Sequence, residues 1–206
     1  MKKDIHKICL TAFLVAAVVI APLSNVALAQ NSAAKEKRIK ESNEVYRKLR
    51  EADILNQVLP VLMTKEQIKA ILPAIEKARD VVNKGEEAEL VEMRKLGELA
   101  SAEIKSGYEK RKIPSDAFYK EYDKTIMKLR TTRRALVSIN TGLVLEALKK
   151  TLDKGQLKAA QNSLNPRVID PTLKVADMSD DDRLKFWVEV VLLDPVAYDV
   201  LMKLSK

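Results

Sequence analysis

The chain has 206 residues, with 37 lysines and arginines against 29 acids, a formal net charge of +8, and a single cysteine and histidine. That length carries one hydrophobic core of ordinary size, and a lone cysteine excludes an internal disulfide. Few glycines and aromatics among many Ala, Leu, Glu, Lys and Arg residues favour helices, and the basic excess suits acidic polypeptides or anionic envelope surfaces.

Residues 1–29 carry the three-part layout of a secretory signal. Lys2, Lys3 and Lys7 make a basic start, Ile8 to Leu23 an apolar middle, and Ala27-Leu28-Ala29 an A-x-A end. About 16 apolar residues fall short of the roughly 20 of a spanning helix; an uncleaved anchor and a buried helix are the alternatives. The pattern predicts cleavage after Ala29 and a periplasmic or otherwise exported protein, which removes nucleic acid from its expected partners. His6 and Cys9 both lie inside the leader. A chain starting at Gln30 would have neither imidazole nor thiol, so no soft-metal site and no conventional serine triad are expected.

Residues 30–36 are small and polar and read as a frayed lead. A first helix is predicted over about 37–59, with Ile39, Tyr46, Leu49, Leu55 and Leu59 on a loose apolar stripe that Pro60 interrupts. Thr64 is a capping residue with Gln67 three positions on, the pattern of a capping box, and Met63 and Ile68 flank it as a hydrophobic staple. Ile68, Ile71, Leu72, Ile75 and Val82 follow at helical spacing. Pro73 predicts a kink and Asn83-Lys84-Gly85 a stop or bend, after which Leu90, Met93, Leu96, Ala100, Ile104 and Tyr108 resume the pattern. Lys112-Ile113-Pro114-Ser115 is the clearest turn, with Ser115 and Asp116 suited to a helix start. From there to about Lys150, Tyr122, Leu129, Leu136 and Leu143 are seven apart, and Phe118, Ile126 and Ile139 fill the same broad face. Two long helices joined by a short turn predict an antiparallel hairpin.

Asp153 caps a short helix carrying Leu157, Ala160 and Leu164. A connector over 165–178 follows, then a helix from Ser179 with Leu184, Phe186, Trp187, Val190 and Val191. Asp194-Pro195 is a start signal for a last helix burying Val196, Val200, Leu201 and Leu204. No strand is expected. The predicted fold class is all-α, a long hairpin with shorter flanking helices and a C-terminal helix pair. The predicted segments are a leader over 1–29, a helical domain over 30–165 and a C-terminal extension over 166–206.

Two short motifs share one shape: Met63-Thr64-Lys65-Glu66-Gln67 and Leu152-Asp153-Lys154-Gly155-Gln156 each set an apolar residue, a cap, two variable positions and a glutamine at a helix start. An export signal, a basic first helix and two such starts on either side of a long hairpin resemble the Spy/CpxP-like (LTxxQ-motif) periplasmic proteins, over about residues 45–165. Met63 departs from the leucine of that motif and Asp153 from its threonine. The resemblance implies a curved helical cradle, a homodimer, and ATP-independent binding of unfolded or damaged envelope proteins; other members damp sensor kinases or bind metals. Thr64, Gln67, Asp153 and Gln156 match the motif positions, with capping and helix–helix hydrogen bonding as their roles.

Lys128, Arg130, Arg133 and Arg134 form a basic cluster on the third helix, read either as a solvated face paired with Glu86, Glu87 and Glu89 or as a strip attracting acidic clients. Phe186 and Trp187 read as core or as a candidate partner patch. The acids around Asp180 to Asp182 lack the glycine and glutamate that a calcium loop requires. No catalytic motif and no cofactor are expected, though the carboxylates alone leave a hydrolase open as a weaker alternative. A regulatory protein docking on one folded partner is the main alternative to a chaperone.

Overall fold

A computed structural model of the protein describes residues 28–206. The predicted leader lies outside the described residues except for its last two positions. Helix α1 spans Leu28–Val58 and ends in a 3-10 turn over Leu59–Val61. Helix α2 spans Lys65–Lys110 and α3 Asp116–Thr151; they pack antiparallel as the hairpin. The remaining helices are α4 (Lys154–Ser163), α5 (Pro166–Ile169), α6 (Asp180–Trp187) and α7 (Ala197–Leu204). No strand occurs among the described residues.

Helix boundaries follow local chemistry at most points. The Ser115 hydroxyl accepts from the Phe118 amide, and Glu103 of α2 accepts from the Ser115 hydroxyl and amide, closing the hairpin tip. Ser179 caps α6 in a reciprocal box with Asp182. Three expectations need correction. Residues 30–36 are helical, because no glycine or proline separates Leu28 from Val58 and Ala, Lys and Glu favour helix. Asn83-Lys84-Gly85 neither stops nor divides α2. A Cβ on Gly85 would lie 2.5 Å from Leu136 Cδ1, so this glycine lets α3 approach closely. The last helix starts at Ala197, not at Pro195. Asp194 Oδ1 accepts from the Val196 amide in a tight turn, while Oδ2 accepts from Arg50 Nε; the cap is held by the turn and by α1.

A π-helical turn over Val188–Leu192 follows α6, with the Leu193 amide donating to Val188 O. Its wide turn brings Val188, Val191 and Leu192 into the core together. That core sits at the base of the hairpin. Ile54, Val58 and Val61 meet Ile68, Ile71 and Ile75 of α2, Val144 and Leu148 of α3, Ala160 of α4, and Leu184, Trp187, Val200 and Leu201 of the C-terminal segment. Residues 166–206 therefore share one core with the preceding helices. Arg47–Asp199, Arg50–Asp194 and Glu51–Lys203 clasp α1 to the C-terminal turn and α7, and Arg79 stacks on the Tyr198 ring at 4.5 Å.

Away from the base, α2 and α3 are a bare pair. Their inner seam holds Leu96, Thr125, Leu129 and Asn140, whose Nδ2 donates to Ala78 O at 3.1 Å. Two residues of the apolar face expected on α3 are not core: Tyr122 of the seven-residue stripe and Ile139 beside it are exposed, because a two-helix arm has no third layer to cover them.

Trp187, the only tryptophan, has no exposed surface and its indole N–H has no hydrogen-bond partner. Its emission is expected to be blue-shifted and shielded from aqueous quenchers. Trp187→Ala should cost about 3–5 kcal/mol by denaturant unfolding; Trp187→Phe should cost clearly less, since it removes an unpartnered buried donor.

Asp181 is bonded to Lys149 of α3 and Lys185, and Asp180 to Lys158 of α4. The hydrogen bond from Lys149, then that from Lys185, holds the Asp181 carboxyl below its ordinary pKa. A pKa lowered by folding stabilises at neutral pH, and the contribution is lost as pH falls through the folded value. Thermal melts should therefore show stability falling on acidification below the ordinary carboxylate range, and Asp181→Asn should make that fall shallower.

Candidate functional site

Both short motifs form complete capping boxes. The Thr64 hydroxyl accepts from the Gln67 amide at 3.2 Å while Gln67 Oε1 accepts from the Thr64 amide at 2.9 Å. Asp153 Oδ1 accepts from the Gln156 amide at 2.8 Å while Gln156 Oε1 accepts from the Asp153 amide at 3.1 Å. Sequence spacing foretells this much, since a capping box is local. The structure adds a contact across 89 residues: Gln67 Nε2 donates to Gln156 Oε1, and Gln156 Nε2 to Gln67 Oε1, both at 2.9 Å. Each amide also donates to a backbone carbonyl beside the other motif, Gln67 to Thr151 O (3.1 Å) and Gln156 to Leu62 O (3.0 Å). Every donor and acceptor of both amides is used. Leu62 itself is exposed and left-handed, with φ 55°. These four motif residues thus form a joint at the hairpin base, and both amides are fully occupied within it.

The open surface is the outer arm. On α2, Val82, Leu90, Met93, Ile104 and Tyr108 are exposed; on α3, so are Tyr119, Tyr122 and Val137, with Ile126 half-buried. At about 100° per residue, these side chains lie to the same side of each helix's buried seam. In an antiparallel pair they line one face of the arm. Phe118 and Tyr119 meet edge to face at 5.4 Å near the tip, with Tyr122 tilted against Phe118 at 6.3 Å. Toward the base the same side meets α7, through Arg79 and Tyr198.

The four basic residues divide. Arg133 grips Glu89 with Nε at 2.8 and 2.9 Å and Nη2 at 2.7 Å, and that hydrogen-bonded carboxylate raises the guanidinium pKa above its ordinary value. Lys128 pairs with Glu92 at 3.1 Å, and its hydrogen bond lowers the Glu92 pKa. Both pairs staple α2 to α3. Arg130 and Arg134 are exposed and have no ion-pair partner among the described residues. Of the candidate patch in the C-terminal segment, Phe186 is half-buried and Trp187 belongs to the core. Trp187 therefore offers no contact surface, which corrects the patch reading for that residue.

Among the described residues, no three His, Cys, Asp or Glu side chains converge as a metal-holding group, and no helix is long and apolar enough to cross a membrane. No protein-family model, curated protein or solved structure matches the chain.

The glutamine joint is open to a double-mutant cycle. Gln67→Ala and Gln156→Ala should each destabilise by about 1–3 kcal/mol, since each leaves the other amide with buried bonds unmade. The double variant should lose less than the sum, by roughly 0.5–3 kcal/mol, in urea unfolding followed by Trp187 emission.

Proposed function

We propose that the protein is an exported, ATP-independent chaperone of the Spy/CpxP-like type, which binds unfolded or damaged envelope proteins on the outer arm of its hairpin. The observation that carries this reading is the arm's uncovered face, where exposed aromatic and aliphatic side chains stand beside the unpaired cations Arg130 and Arg134. An unfolded chain offers both matching features, carboxylates and apolar groups in no fixed order. Charge draws it in over distances of about a Debye length, near 10 Å, and apolar contact then holds it loosely. A surface of separate side chains without a deep pocket favours many weak partners over one tight one. Release needs no nucleotide, because each contact is weak and the client leaves by folding. The two capping boxes, the leader pattern and the hairpin support the same reading.

Docking on one folded partner is the alternative, and Trp187 gives it no support because it is buried. An aggregation assay separates the two. The chain from Gln30 should suppress aggregation of several unrelated denatured proteins near equimolar ratio. Tyr119→Ser with Tyr122→Ser, and Arg130→Glu with Arg134→Glu, should each weaken protection several-fold with the melting temperature nearly unchanged, and the charge variant should lose most against acidic clients. Protection of no client, or of one alone, would overturn the proposal.

A further inference from the structure

The N-terminal half of α1 has a surface that neither the core nor the hairpin uses. Every residue from Ala34 to Leu49 is exposed along about 24 Å of helix, which is tied to the body near its end by the Arg47–Asp199 ion pair. A lone helix of this length is marginal in water unless something covers one side. Ile39, Val45, Tyr46 and Leu49 are each at least half exposed. With Ser42 they occupy one sector of about 120° on the helix. Past Arg50 the buried side, marked by Ile54 and Val58, is rotated away from that sector. The stripe is therefore not the core face prolonged.

Charge indicates what covers it. Residues 34–49 carry the cations Lys35, Lys37, Arg38, Lys40, Arg47 and Lys48 against Glu36, Glu41 and Glu44. Lys35 and Arg38 fall inside the apolar sector, where their long stems lie along a nonpolar layer while the charged ends reach the headgroups. Glu44 falls on the opposite side, and Glu41 only at the margin. A second copy of this arm would bring the same cationic excess against itself.

We propose that residues 34–49 of α1 lie on an anionic lipid surface, with Ile39, Tyr46 and Leu49 set at the headgroup boundary and Lys35 and Arg38 paired to lipid phosphates. The arrangement is that of an interfacial helix with low overall hydrophobicity and a basic polar surface. It goes beyond client binding, since it places the cradle at the membrane surface and needs no client.

The test is vesicle co-sedimentation of the protein beginning at Gln30, which keeps every residue of the described core. Equimolar phosphatidylglycerol–phosphatidylcholine vesicles should bind it, pure phosphatidylcholine at least ten-fold less. Lys35→Gln with Arg38→Gln should lower partitioning by ten-fold or more, at about 1 kcal/mol per cation. Ile39→Ser with Tyr46→Ser and Leu49→Ser should abolish it. All five positions are exposed, and unchanged Trp187 emission and aggregation suppression in both variants would separate lost docking from lost folding or lost client binding. Equal binding to both vesicle types, no binding, or binding indifferent to either variant would overturn the proposal. So would a self-association that the serine variant dissolves, which would make a second copy the occupant.

Discussion

The reciprocal amide pair between Gln67 and Gln156 is the constraint from which the rest of the architecture follows. A glutamine side chain has two donors and two lone pairs, and all four are matched: one by its own cap, two by the other glutamine and one by backbone beside the other motif. The pair fixes the start of α2 against the start of α4. Those two starts bracket the hairpin, so its ends are held at one point and both long helices must leave the base side by side. The joint also holds Leu62, whose left-handed backbone is uncommon for a bulky residue, in the geometry that turns the chain from α1 into α2.

With the base fixed, burial is uneven by necessity. The C-terminal segment packs its π-helical turn, Trp187 and α7 onto the base and stops there. Beyond it, two helices alone can enclose only a narrow seam. They close it with small and polar devices: a glycine at position 85, ion pairs from Glu89 and Glu92, and a buried amide at Asn140. Apolar residues beside the seam stay in contact with water. A third helix would have hidden them, and its absence from the outer arm makes the same side chains available for binding.

Most of the fold is legible in the sequence because its signals are local. Pro114 and Ser115 mark the hairpin tip, and Thr64, Asp153 and Ser179 each sit three residues before their capping partners. What a local pattern lacks is knowledge of what lies opposite. Gly85 reads as a breaker until Leu136 is placed against it. Asp194-Pro195 reads as a helix start until Arg50, from the far end of the chain, takes one carboxylate oxygen. Tyr122 and Ile139 keep core spacing on a helix with too few neighbours to bury them, while Phe186-Trp187 reads equally as patch or core. The candidate site is legible in part: the basic cluster is visible as residues, but its division into two staples and two free cations depends on where α2's glutamates fall.

Asn140 carries one last consequence. Its amide nitrogen reaches the Ala78 carbonyl across the seam, one helical turn from the notch where Leu136 meets Gly85. If α3 slid along α2 by a turn, about 5.4 Å, the amide would lose its acceptor and stay buried at a cost of about 1–3 kcal/mol, and Leu136 would leave its notch. The two rods are thereby pinned against longitudinal slippage between a base locked by the glutamine pair and a tip closed by Ser115 on Glu103.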